Sequence, residues 1–402
     1  MKTFLAVIFA GATFAAGASA AEPDFKFTFD PAPARPGFES VSPDAAFGGE
    51  HRFGFDLGTK PGGNRPFFFS AALPEGDYDV AITFGDAQSA TTNTVKAESR
   101  RLMIERVVTK PGEFAMRTIT VNIRTPQIPS GARVGLKERE RGVLHWDDKL
   151  TLEFNGTSPG LAALEISPAT NAITVFLLGD STVTDQPKEP WNSWGQMLTR
   201  FFQPGVAVAN HAESGESLKG SLGARRVAKV LASIKPGDYV FVQFGHNDQK
   251  DKATNAVEVY KTNLTKLVAD VRARKATPVL VTSMERKGGV RGNTLAEYPE
   301  TVRQVAKEQG TALIDLQVMS RAFYVALGVD MDKAFQDGTH HNNYGSYEIA
   351  KCVAEGIRQN KLPLAKLLAD DFAGFDPAKP DAVAAFDVPE SPLRSEKKPD
   401  GN

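Results

Sequence analysis

The sequence predicts an α/β protein in which an all-β sandwich or jelly-roll region precedes a three-layer α/β/α domain built on a parallel sheet. Three observations carry that expectation. Between about Glu22 and Pro168, short strands alternate with turn signals and no long helical period appears. From Asn171 onward, apolar strands alternate with helical stretches, the pattern of a parallel sheet covered on both faces. The first of those strands, Ala172 to Leu178, is a continuous aliphatic and β-branched run that breaks at Gly179-Asp180-Ser181.

Taken in order, residues 1–20 read as a secretory signal peptide and not as part of the fold. Lys2 is a short basic start, Phe4 to Ala16 is apolar, and Ala18-Ser19-Ala20 is a small-residue cleavage site. The apolar run is too short for a lasting membrane anchor, and no cysteine follows it to take a lipid. A secreted or periplasmic location is therefore expected.

Residues 21–168 form the β region. Tyr78, Val80, Ile82 and Phe84 alternate with Asp79, Ala81 and Thr83 after the turn Pro74-Glu75-Gly76-Asp77. Leu150, Leu152 and Phe154 alternate with Lys149, Thr151 and Glu153, and Phe67 to Phe69 and Val121 to Ile123 supply further strands. The region resembles the galactose-binding-like accessory domains of carbohydrate-active enzymes. Its two readings are a sugar-binding module and a packing partner of the site, with Tyr78 and Trp146 expected in the core. The run Lys137-Glu138-Arg139-Glu140-Arg141 alternates in sign and reads as a solvated loop.

The α/β domain spans 169–375. Strands are expected at 172–178, 205–209, 238–244, 278–282 and 312–316, and helices at 193–202, 222–234, 256–274, 296–309 and 346–358. The joint Ile166 to Asn171 is too short to tether an independent module and predicts that the two lobes touch. Residues 376–402, rich in Pro, Asp and Lys, read as an extended or disordered tail.

Composition excludes several classes. With 47 Lys+Arg against 48 Asp+Glu, the chain has neither a basic stripe nor an RNA-binding motif, so nucleic acid is not an expected partner. One cysteine, Cys352, excludes an internal disulfide; it falls in an apolar helical pattern and is expected in the core. Six scattered histidines form no structural zinc pattern, and no metal is expected. The sequence leaves the oligomeric state open.

Chemistry concentrates at the strand ends. Ser181 lies in a loop just past the carboxyl end of a buried strand, where open α/β sheets place their sites, and is expected to be exposed. Asp337 and His340, three apart in Phe335-Gln-Asp-Gly-Thr-His-His-Asn-Asn-Tyr-Gly345, can set a carboxylate against one imidazole nitrogen while the other faces a hydroxyl. Two further strands empty into loops carrying Gly215 and Asn247, which offer a backbone and a side-chain N–H donor.

Gly-Asp-Ser at 179–181, Gly215, Gly-His-Asn-Asp at 245–248 and Asp337-x-x-His340 match, in order, the four blocks of the SGNH (GDSL-type) hydrolases. The resemblance covers roughly residues 172–360. It is closest to the rhamnogalacturonan acetylesterase branch, which carries GDST and a Gly-Trp-Gly-Gln-like segment. Here that segment is Trp191-Asn192-Ser193-Trp194-Gly195-Gln196, with Ser193 in place of the usual glycine.

The resemblance implies a flavodoxin-like parallel sheet and an esterase without cofactor. Ser181 is then the nucleophile, His340 the base, Asp337 its orienting carboxylate, and Ser181, Gly215 and Asn247 the oxyanion donors. Trp191, Trp194 and His246 are candidate substrate contacts, and Trp194, which leads into an apparent amphipathic helix, reads equally as a core anchor. His341, adjacent to His340, is a rival base that lacks the family offset, and His246 is also read as positioning the Asn247 loop. The expected substrate is an O-acetylated plant polysaccharide or oligosaccharide such as rhamnogalacturonan or pectin. The alternatives are a lipase or thioesterase on longer acyl chains, and a non-catalytic glycan-binding protein.

Overall fold

The computed structural model describes residues 25–29 and 35–400; the expected signal peptide lies outside them. Strands β1 (Phe25–Phe29), β2 (Glu39–Val41), β3 (Phe53–Asp56), β4 (Phe67–Ala72) and β5 (Gly76–Phe84) begin the N-terminal lobe. It continues with β6 (Thr91–Ala97), β7 (Arg101–Thr109), β8 (Ala115–Ile123), β9 (Lys149–Ser158) and β10 (Leu161–Pro168). They form two sheets, ordered β2-β1-β10-β5-β8 and β3-β4-β9-β6-β7.

The alternation on β5 works as the pleat dictates. Tyr78, Val80, Ile82 and Phe84 all point inward and are fully buried, meeting Phe69, Leu152 and Phe154 from the other sheet in one core. Burying each such side chain contributes roughly 1.5–3 kcal/mol, which is how a lobe with no disulfide holds together.

The second lobe is a five-stranded parallel sheet of β11 (Ile173–Gly179), β12 (Val206–Asn210), β13 (Tyr239–Gln243), β14 (Thr277–Val281) and β15 (Ala312–Ile314). Its order is β12-β11-β13-β14-β15, so the chain leaves β11 for one neighbour and returns across it to the other. That reversal opens a crevice beyond the carboxyl end of β11, the place where ligands bind in such sheets.

Helices α1 (Trp194–Leu198), α2 (Leu218–Gly223), α3 (Arg226–Ser233), α4 (Ala256–Arg272), α5 (Tyr298–Gln309), α6 (Leu316–Leu327) and α7 (Asn343–Gln359) pack on this sheet. Helix α6 is absent from the sequence expectation. It follows β15 after a single residue, Asp315, with no glycine or proline to mark the join. Helix α7 starts where the Asn342 side chain accepts the Gly345 N–H, and Gly356 lets it press onto β15. A Cβ there would stand 2.6 Å from Ile314 Cγ2.

The lobes are joined by packing and hydrogen bonds. Leu102 of β7 lies in the α/β core, and its carbonyl accepts from Thr199 Oγ1 at 2.7 Å. Asp77 of β5 accepts from Ala169 N and from Thr174 Oγ1, at 2.8 and 2.6 Å. The tail crosses both lobes in extended form. Lys96 Nζ donates to Pro389 O, Asn155 Nδ2 to Glu390 O, and Glu189 N to Leu393 O. The tail is thus extended, one of the two readings its composition allowed, and backbone carbonyls supply these contacts.

Candidate active site

At the end of β11 the chain turns sharply. A Cβ on Gly179 would stand 2.6 Å from Val183 Cγ2 and 2.8 Å from Gln243 O, so the close approach admits only glycine. Asp180 then ties the turn, its Oδ1 accepting from Thr182 N and Thr182 Oγ1 at 2.9 and 2.8 Å. This presents the Ser181 hydroxyl to His340, whose Nε2 lies 2.8 Å from Ser181 Oγ.

The three-residue offset of Asp337 acts through both carboxylate oxygens. Oδ2 stands 3.0 Å from His340 Nδ1, and Oδ1 accepts the backbone N–H groups of His340 and Thr339, each at 2.7 Å. Burial by itself would raise the Asp337 carboxyl. The hydrogen bonds from the His340 ring and backbone outweigh it and hold the group well below the usual carboxylate range. Asp337 therefore stays ionised and fixes which imidazole nitrogen faces Ser181.

Ser181 differs from expectation in one respect. It is only 4% exposed, because the loop that follows it folds back and sets Trp191 edge-on to the His340 ring at 5.8 Å.

The three expected oxyanion donors lie on loops that hydrogen bonds lock to one another. Glu213 N donates to Gly179 O at 3.1 Å, which lays the β12 loop along the β11 turn. Gln186 Nε2 bridges Ser181 O at 2.8 Å and Ser214 Oγ at 3.2 Å. Asn247 Nδ2 donates to Glu216 O at 3.0 Å, and its second N–H remains. The Ser181 and Gly215 N–H groups have no hydrogen-bond partner among the described residues, and Gly215 adopts φ +73°, which glycine reaches without strain.

The remaining candidates separate. Trp191, 7% exposed, lines a cleft of about 290 Å³ together with Gln186, Ser214 and Val143; Ser181, Asp337 and His340 are not part of that lining. Trp194 is not a substrate contact: it is 1% exposed, and its indole N–H donates to Gln243 Oε1 at 2.9 Å inside the core. His246 does not face the cleft either. Its Nδ1 pairs with Asp180 Oδ2 and its Nε2 with Met284 O, both at 3.0 Å, so it props the Asp180 turn. His341 turns away from Ser181 to Tyr324 OH at 3.1 Å, and burial with the neighbouring His340 pushes its pKa down to about 3.

Sequence reasoning missed the contribution of the β lobe. The turn between β6 and β7 inserts Arg100 beneath the loop that follows Ser181. Arg100 Nη1 donates to Gln186 O and Trp191 O at 3.0 and 2.8 Å, and Nη2 meets Glu189 Oε1 at 2.5 Å. Arg101 Nε meets Asp185 Oδ2 at 2.8 Å. In sequence, Glu98-Ser99-Arg100-Arg101 is an ordinary polar hairpin turn, and no signal there marks it as buried.

The charged run is solvated only in part: Glu138 and Arg141 are exposed, and the other three are engaged. Glu140 is buried against Arg226 at 2.5 Å and accepts the Trp146 indole N–H, while Lys137 and Arg139 reach the Gly215 loop. Alternating charge reads as solvated only when no partner is in view, and here the partners come from the other lobe.

Comparison with known proteins finds relatives for the α/β lobe. The profile of the GDSL-like Lipase/Acylhydrolase family matches residues 177–346. Rhamnogalacturonan acetylesterase RhgT of Bacillus subtilis is 37% identical over 214 residues, 48% of this chain and 92% of that protein. The rhamnogalacturonan acetylesterase of Emericella nidulans is 25% identical over 54% of this chain and 98% of its own length. A solved structure of Axe2, an acetylxylan esterase from Geobacillus stearothermophilus, is 20% identical over 48% of this chain and 97% of that one, with a TM-score of 0.37.

Proposed function

The chain belongs to the GDSL-like lipase/acylhydrolase family and is an esterase, and we propose that it is an exported carbohydrate acetylesterase acting on an acetylated pectic polysaccharide such as rhamnogalacturonan. Ser181 Oγ attacks the acetyl carbonyl while His340 Nε2 takes its proton, with Asp337 holding the ring. The oxyanion is received by the N–H groups of Ser181 and Gly215 and by the Asn247 amide. His340 then protonates the departing sugar hydroxyl, and water repeats the sequence on the acetyl-enzyme.

The observation that carries this reading is the Asp337–His340–Ser181 chain, at 3.0 and 2.8 Å, beside two N–H groups with no other partner among the described residues. The substrate class rests on the named relatives. Acetate release from acetylated rhamnogalacturonan, homogalacturonan and xylan tests it, with the first expected to be the best substrate. No release from any of the three, together with faster cleavage of octanoyl than acetyl esters, overturns the carbohydrate reading in favour of a lipase.

A further inference from the structure

The segment between β8 and β9 forms an arm that leaves the β lobe and ends over the loop carrying Gly215. Two of its cations converge on one acceptor. Lys137 Nζ donates to Ser214 O at 2.7 Å, and Arg139 Nη2 donates to the same oxygen. That carbonyl belongs to the same peptide unit as the Gly215 N–H. A peptide carbonyl that accepts from two charged donors gives up electron density, and the N–H at the other end becomes a stronger donor. The two bonds also fix the plane of the peptide, and so the direction in which the N–H points.

The cations are not left as a bare positive patch. Lys137 Nζ meets Glu216 Oε1 and Arg139 Nε meets Glu213 Oε1, each at 2.8 Å. Glu213 and Glu216 flank the very dipeptide being held, so the arm grips this loop at both ends and at its centre. The arrangement delivers two hydrogen bonds to one oxygen, and each cation also meets a carboxylate of the loop it holds.

We propose that Lys137 and Arg139 are positioning residues that polarise and aim the Gly215 N–H, which makes the β lobe a working part of the esterase site. The proposal rests on the reading of Gly215 as an oxyanion donor. It asks of the arm an effect on transition-state stabilisation, not on substrate affinity.

The test uses the full chain with Lys137→Gln, Arg139→Gln and the double variant, assayed on p-nitrophenyl acetate. Each single variant is expected to lower kcat about three- to fivefold and the double variant roughly tenfold or more, with KM little changed. Lys137→Arg, which restores the donor, should recover most of the loss. The Gly215 amide proton resonance should move upfield in Lys137→Gln, a readout independent of turnover.

Unchanged kcat together with an unmoved resonance overturns the proposal. So does a loss of kcat that only follows a fall in melting temperature and that Lys137→Arg does not rescue. Asn247→Ala, measured alongside, separates the two levels. If Asn247→Ala is impaired while the double variant is not, the arm has no such role and the oxyanion hole stands. If neither is impaired, the oxyanion reading itself fails.

Discussion

The two lobes meet at one site but bring side chains to it by different rules. In the α/β lobe, Ser181, Gly215 and Asn247 all follow parallel strands by a few residues, so one sheet edge aims them. In the β lobe, Arg100, Lys137 and Arg139 come from a hairpin turn and an arm with little regular structure, and they act through ion pairs and carbonyls of the other lobe. The proposed nucleophile and oxyanion donors are thus set by the sheet, and the loops that carry them are braced by the neighbour. Removing a strand-end group should abolish chemistry with the fold intact. Removing a β-lobe cation should first loosen the loops.

The largest effect is expected at the triad. Ser181→Ala and His340→Ala should each lower kcat by at least about 10⁴-fold, Ser181→Ala with the melting temperature nearly unchanged. His341→Ala should keep most of the activity and lose stability, since His341 is buried against Tyr324 and Phe335. The opposite ranking of the two histidines in a kinetic assay would break the assignment.

Arg100 should show the other behaviour. Arg100→Met leaves Glu189 as a buried carboxylate without its closest cation, a change that costs about 3–5 kcal/mol. Chemical denaturation should show that loss. A fragment beginning at Ala169 should be still worse, insoluble or unfolding far earlier, because Leu102, Arg100 and Arg101 leave together. A fragment as stable and as active as the whole chain would end the idea that the β lobe braces the site.

Asn247→Ala should depress kcat on the order of 10²- to 10³-fold through loss of an oxyanion donor. A raised KM with unchanged kcat would instead make Asn247 a ground-state contact.

The smallest effect concerns Asp248, next to Asn247. Burial raises its pKa to about 7, offset in part by the hydrogen bond its Oδ1 accepts from Leu218 N at 2.9 Å. The folded state therefore holds a proton that the unfolded chain releases near pH 4, and this contribution to stability falls as pH rises from about 4 to 7. Asp248→Asn keeps the acceptor and removes the charge. It should be more stable than the parent at pH 8 by roughly 1–3 kcal/mol and equal to it at pH 4. Melting temperatures for the pair at both pH values check this, and a constant difference would exclude ionisation of Asp248 as the cause.

What the sequence by itself determined is whatever depends on local pattern. An apolar run ending in Gly179-Asp180-Ser181 fixes a strand and the turn after it, since only glycine fits beside Val183 and Gln243. The three-residue offset of Asp337 and His340 likewise fixes their pairing, because the spacing lets one carboxylate reach both ring and backbone. The blocks carrying Ser181, Gly215 and Asn247 therefore met where the ends of parallel strands place them, while Asp337 and His340 reach the site from a loop beyond α6, not from a strand end.

Only the tertiary structure decided which polar residues are buried and against what. Trp194 reads as platform or core anchor until its N–H is seen to meet Gln243, and His246 as contact or positioning residue until both ring nitrogens are seen to be engaged. Lys137, Arg139 and Glu140 read as solvated until Ser214, Glu213 and Arg226 arrive from far along the chain. A charge is indifferent to its neighbours in sequence, and its environment is set by partners that folding brings within 3 Å, so no periodicity records them.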